Sequence, residues 1–193
     1  MLDVSARRTP LTASPLDVLA PAAKAVPVAN LRALPSAARL AFRGREAAIG
    51  RAGAVFGVEL PREACRFNNA QGKFALWLGP DEWLLLAPAS SPAPIFEAME
   101  AALGDLPHAL VDVSARSVGI EVSGSEAARV LNHGCPLDLH LSAFPIGMCT
   151  RTLLGKAEIV LMRTGEDTFQ IDVWRSFASY VWKFLEEARR EFE

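Results

Sequence analysis

Two of the chain's three histidines flank one of its three cysteines in "LNHGCPLDLH", Leu131 to His140, with Asp138 two residues before the second histidine. Imidazole, thiolate and carboxylate are the groups that ligate transition metals, and a Cys/His pair is the kernel of one class of nucleophilic site. The spacing argues against both. Zinc takes about four protein ligands, or three and a water, and no second cluster stands elsewhere to complete the set. A catalytic thiolate needs a third group to orient its base, and a cysteine before a proline at a helix end is more often a small buried hydrophobe. The run reads as a helix terminus. Gly134 is expected to take the left-handed conformation that closes a helix, Pro136 stops continuation, and His133 sits near the negative end of the helix dipole.

Other chemistry-bearing patterns are thin. The glycines of "VGIEVSGSE" do not form a G-x-G-x-x-G turn, and the chain has no G-x-x-x-x-G-K-[ST] loop and no G-x-S-x-G elbow. A self-sufficient nucleotide or flavin site is therefore not expected. The acidic pairs Asp81-Glu82 and Glu166-Asp167 fall in hairpin turns, where acidic residues are ordinary turn formers. No catalytic, cofactor-binding or metal-ligating residue is assigned. The candidates for contact with a partner lie in "DVWRSFASYVW", where Trp174, Arg175 and Tyr180 are of the types enriched in interface hot spots. Arg175, between a strand and a helix, can make paired hydrogen bonds to a carboxylate or carbonyl of a larger partner; the competing reading has it capping or pairing within its own half.

The elements that must position these residues follow from hydrophobic spacing. Up to residue 38 the chain is rich in Pro and Ala and reads as an extended N-terminal arm, because its prolines interrupt any helix. From Arg39 come a strand "RLAFRG", a helix with apolar spacing at Ala48, Ile49, Ala52 and Val55, two strands about "GPDE", and a helix with Pro94 in its first turn and Gly104 at its end. The same order returns: strand material "ALVDVSARSVGIEVSG", a serine-capped helix "SEAARVLNHGC", a hairpin about "TGED", and a closing amphipathic helix. "RGREAA" at 43–48 matches "SGSEAA" at 123–128, and Gly72-Lys73 returns as Gly155-Lys156 at nearly the same interval, which argues for a duplication. The expected fold is α+β: one domain over residues 39–193, made of two ferredoxin-like βαββα halves, about 39–108 and 109–193, with largely antiparallel sheets.

Composition bounds the partners. The 193 residues are 51% hydrophobic and 22% charged, the make-up of a chain that buries a core. With 20 Lys+Arg against 22 Asp+Glu there is no excess positive charge to hold nucleic acid or an anionic membrane. Three cysteines without a CxxC favour a reducing compartment, and no signal-like or membrane-spanning run is present, so the cytoplasm is expected.

"ALWLGPDEWLLLAP", "HGCPLDL", "FPIGMCTRTLLGKAEIVLMR" and "DVWRSFASYVWKFLEEA" closely resemble the gamma subunit of heterotetrameric sarcosine oxidase, over about Leu40 to Ala188. That family resembles in fold the folate-binding aminomethyltransferase of the glycine cleavage system, whose order of motifs is followed by "VDVS" at 111–114, "SGSEAARVLN" at 123–132 and "FPIGMCTRT". The resemblance implies oxidative demethylation of sarcosine to glycine, the one-carbon unit passing to tetrahydrofolate or leaving as formaldehyde. It places FAD, FMN, NAD and tetrahydrofolate with the other subunits (the larger flavoprotein alpha and beta chains and a small delta chain) and implies a structural, assembly-related role for this one. The transferase's paired acidic motif is replaced by "GKAEIV", with Glu158 as the acidic residue retained. The alternative is a stand-alone folate-binding or one-carbon transferase protein.

Overall fold

A computed structural model describes residues 14–88 and 92–192. Residues 1–13 of the proline-rich segment lie outside that range. From Ser14 the segment runs along the chain's own second half. Two short 3-10 turns, Ala20–Ala22 and Pro27–Ala29, lead into strand β1 (Asn30–Ala33), and Leu16, Val26, Ala29 and Leu31 are buried in that half's core.

The first repeat is β2 (Ala38–Gly44), α1 (Glu46–Phe56), β3 (Phe67–Ala70), β4 (Lys73–Gly79), β5 (Glu82–Ala87) and α2 (Ala93–Leu103), followed by β6 (His108–Asp112). The second is β7 (Ser117–Ser123), α3 (Ala127–Asn132), β8 (Cys149–Leu154), β9 (Ala157–Gly165), β10 (Thr168–Trp174) and α4 (Arg175–Ala188). The strands form two antiparallel five-stranded sheets, β3-β4-β5-β2-β6 and, read from the matching edge, β8-β9-β10-β7-β1. Equivalent strands occupy equivalent places, so the two halves share one strand order. Each adds to βαββα an edge strand, β3 or β8, and a fifth strand, β6 or β1. The run "ALVDVSARSVGIEV", which reads as one stretch of strand, is divided by a turn at Val113–Arg116: β6 stays with the first sheet and β7 begins the second.

Hydrophobic periodicity explains the layers. On α1 the buried stripe is Ala48, Ile49, Ala52 and Phe56; Val55, expected in it, is 37% exposed, because Phe56 lies one position further round the helix and faces the sheet. Gly57, at φ +84, closes that helix by donating to the Gly53 carbonyl. On α4 Ala178, Val181, Trp182, Leu185 and Ala188 recur at three- and four-residue spacing and cover the outer face of the second sheet. Helices thus clothe the outside of both sheets. The inner faces meet over Leu76, Leu84, Cys149 and Met162. At one edge they are stitched by backbone bonds, Phe67 N–H to Gly147 O and Cys149 N–H to Cys65 O, both 2.9 Å.

Two local expectations are corrected. Gly134 has no left-handed backbone. It is required by crowding: a Cβ there would stand 2.7 Å from the Phe184 ring and 2.9 Å from Gly155 N. The serine at 125 does not cap α3 either. The residue before its first turn is Glu126, whose N–H is taken by the Val28 carbonyl of the arm at 2.8 Å.

Candidate functional site

The three side chains that open the sequence question do not converge. His133 Nδ1 meets the Arg129 carbonyl at 3.0 Å, His140 Nδ1 meets Ser142 Oγ at 2.8 Å, and Cys135 is buried in the core of the second half. Among the described residues no group of three or more His, Cys, Asp and Glu side chains is placed to hold a metal ion. The loop that follows is a structural unit clamped by Arg163, which is 4% exposed. Its guanidinium donates to the carbonyls of Leu139 and Phe144, each at 2.9 Å, and to that of Glu166, and stacks 4.8 Å over the Phe169 ring. Burial pulls its pKa down, opposed by Asp167 and Glu166 nearby.

Charged side chains gather where the sheets face each other. Arg39 of β2 and Asp172 of β10 are 4% and 6% exposed, and Arg39 Nε donates to Asp172 Oδ2 at 2.5 Å. The backbone of Arg39 is fixed by the D-x-S turn: its N–H donates to Ser114 Oγ at 2.9 Å, and its carbonyl accepts from Val113 at 2.8 Å. Asp112 holds that turn by accepting from the Ser114 N–H and hydroxyl. Closer to solvent, Glu82 accepts from Arg151 of the opposite sheet and from Arg43 of its own, the latter at 2.7 Å. The Arg151 hydrogen bond, with help from Arg43, holds the Glu82 carboxyl below the usual carboxylate range despite its partial burial. These groups were invisible in sequence. Arg39 and Asp172 lie 133 residues apart, and Glu82 reads as a turn residue until β8 brings Arg151 to it.

The partner candidates sit at the junction of β10 and α4. Trp174 is 46% exposed, Tyr180 37% and the intervening Phe177 38%. Arg175 is half-buried, and its N–H donates to the Arg116 carbonyl at 2.8 Å. Trp174 lies under the Arg116 guanidinium, 5.9 Å from ring centre to Cζ, and lines a polar cleft with Arg116, Arg151, Glu158 and Asp172. Tyr180 reaches the β8–β9 turn, where its hydroxyl accepts the Lys156 N–H at 3.1 Å, and Leu153 beside that turn is 50% exposed. The structure therefore brings Trp174, Tyr180, Phe177 and Leu153 to one end of the second half. Trp182, in the same sequence run, is wholly in the core.

Residues 40–191 match the model of the family described as "Sarcosine oxidase, gamma subunit family". The chain belongs to the sarcosine oxidase gamma subunit family. Within that family it is 38% identical over 125 residues to the sarcosine oxidase subunit gamma of Corynebacterium sp. strain P-1, an alignment spanning 65% of this chain and 61% of that protein. It is 34% identical to the sarcosine oxidase subunit gamma of Corynebacterium sp. strain U-96, over 95% of this chain and 93% of that one. The fold matches a chain of the heterotetrameric sarcosine oxidase from Corynebacterium sp. U-96 with a TM-score of 0.86 and 31% identity, covering 93% of this chain and 95% of that chain. It also matches the glycine cleavage system aminomethyltransferase T from Bartonella henselae, with a TM-score of 0.63, 17% identity, and 81% and 45% coverage. The second match shows a shared fold. Against the transferase-like motif order, "GKAEIV" places Gly155 and Lys156 in the β8–β9 turn and leaves Glu158 exposed on β9 in the polar cleft. No helix among the described residues is long and apolar enough to cross a membrane.

Proposed function

We propose that the chain is the gamma subunit of a heterotetrameric sarcosine oxidase, and that its task is assembly. The larger alpha and beta subunits and a small delta subunit are its partners. Flavins, NAD and tetrahydrofolate belong to those chains, where sarcosine is demethylated to glycine and the carbon goes to tetrahydrofolate or leaves as formaldehyde. Family membership and the likeness to the U-96 oxidase support this reading. One observation carries the assembly role: Trp174, Phe177 and Tyr180 are exposed at the β10–α4 junction, with the Arg116 guanidinium over Trp174 and Leu153 exposed beside the β8–β9 turn that Tyr180 reaches. Exposed aromatics rimmed by arginine are the make-up of an interface core.

The test is titration of Trp174→Ala and Arg175→Ala chains into the remaining subunits, with circular dichroism as the folding control. Each folded variant is expected to weaken assembly by roughly 2 kcal/mol or more, as truncation of a buried interfacial Trp or Arg does. Unchanged affinity for both would remove this face from the interface. Loss of the Arg175→Ala fold would assign that residue to its own half.

A further inference from the structure

The buried pair Arg39–Asp172 is only half satisfied. Arg39 spends Nε on Asp172 and Nη1 on the Ala37 carbonyl at 3.1 Å; its Nη2 donates to no group among the described residues. Asp172 accepts only from Arg39 Nε, which leaves Oδ1 without a donor among the described residues. Neither atom is sealed away: among the described residues the fully enclosed side-chain polar atoms without partners are Ser117 Oγ and Trp182 Nε1. A buried guanidinium and carboxylate that keep unused hydrogen-bonding capacity carry a desolvation cost that a single ion pair does not offset. Both residues line one cleft of about 200 Å³ at the seam of the sheets. Its other walls include Leu34, Phe74, Pro88, Met162 and Gln170. Leu34 closes over it because Gly119, opposite Asp172 on β7, has no Cβ: one there would stand 3.0 Å from the Leu34 side chain.

The volume admits about seven water-sized groups, so the occupant is a single small ring or its equivalent. The charges of Arg39 and Asp172 cancel, so it is neutral. The Nη2 donors of Arg39 and the Oδ1 acceptor of Asp172 remain, so it presents an acceptor and a donor side by side. We propose that this cleft binds a small neutral molecule with an amide or lactam edge, its carbonyl accepting from Arg39 Nη2 and its N–H donating to Asp172 Oδ1. The apolar walls take the ring, as in small-molecule sites where a few placed polar groups set orientation. The site does not rest on the assembly reading, although Asp172 also lines the polar cleft beside Trp174.

The probe is 2-pyridone, a lactam on a single ring, followed by ligand-observed NMR with the 193-residue chain. N-methyl-2-pyridone, which lacks the N–H, serves as the matched control. Expected is saturable binding with a dissociation constant of about 1 mM or lower, weakened about tenfold or more by N-methylation and by Arg39→Lys. Ser36→Trp, on the exposed rim of the cleft, is expected to abolish it, and decides the matter if Arg39→Lys does not fold. Absence of saturable binding, equal binding of the N-methyl compound, or binding that survives Ser36→Trp overturns the proposal.

Discussion

At Gly124 a single hydrogen atom decides whether the arm can lie down. Its φ is +117, and an added Cβ would stand 2.5 Å from the carbonyl carbon and oxygen of Val28. Gly124→Ala is therefore expected to lower stability by about 2–4 kcal/mol and to expose the arm, read as an earlier urea midpoint with faster proteolysis near Lys24. Cys149 is a residue of the opposite temper, an inert thiol in the joint between the sheets. Burial, then the neighbouring Cys65, pushes its pKa from 9.0 up to about 12. Because the folded value lies above the unfolded one, this thiol's contribution is complete below pH 9 and is lost as pH rises toward 12. Melts of the wild type and Cys149→Val should diverge between pH 8 and about pH 10.5, the wild type losing roughly 2 kcal/mol more. Parallel curves would show that the thiol does not ionise with unfolding.

At the scale of elements, β5 is the strand through which the halves are tied. Its first residue, Glu82, joins β2 through Arg43 and β8 through Arg151, and its side chain keeps 15% of its exposure. Its carboxyl titrates below the ordinary value, so its stabilisation is present above the unfolded pKa of 4.5 and disappears as pH falls through the lowered folded one. Glu82→Gln should cost about 1 kcal/mol at pH 7 and progressively less as pH falls below 4.5, with a series of urea titrations across that range as the measurement. The elements themselves were largely legible: the stripes of α1 and α4, the "GPDE" and "TGED" turns and the recurring Gly-Lys step all announce themselves locally. What sequence could not announce is contact over distance. β3, "FNNA", has no alternation of apolar and polar residues and is a strand only because β4 supplies its hydrogen bonds. Gly134 looks like a helix stop, but its real constraint comes from Phe184 and Gly155, which only the fold places beside it. The aromatic candidates were legible by type, whereas the arginine–carboxylate pairs between the sheets were not, since a charged residue in a strand looks solvated until the opposite sheet is known.

For the molecule as a whole, the arm and the C-terminus depend on each other. Arg189, 2% exposed, donates to the Lys24 carbonyl at 2.9 Å and to that of Ala29 at 3.3 Å. Arg189→Ala leaves two carbonyls without this donor and should open a tryptic site at Lys24 while the first sheet stays protected, an outcome readable by mass spectrometry of limited digests. Equal protection at Lys24 would mean that Leu16, Val26 and Gly124 hold the arm without the clamp.

The position of β1 has a consequence for synthesis. Its partner β7 follows the whole of the first sheet in sequence, so the first half is an insertion between two neighbouring strands of the second. A ribosome delivers β1 before β2 to β6 and β7 only after them, while α4 and Arg189, which bury the arm's apolar residues, follow β7. The nascent chain thus completes its first sheet while Leu16, Val26 and Leu31 are still unburied, which makes the interval before α4 emerges the one in which this subunit most needs a chaperone.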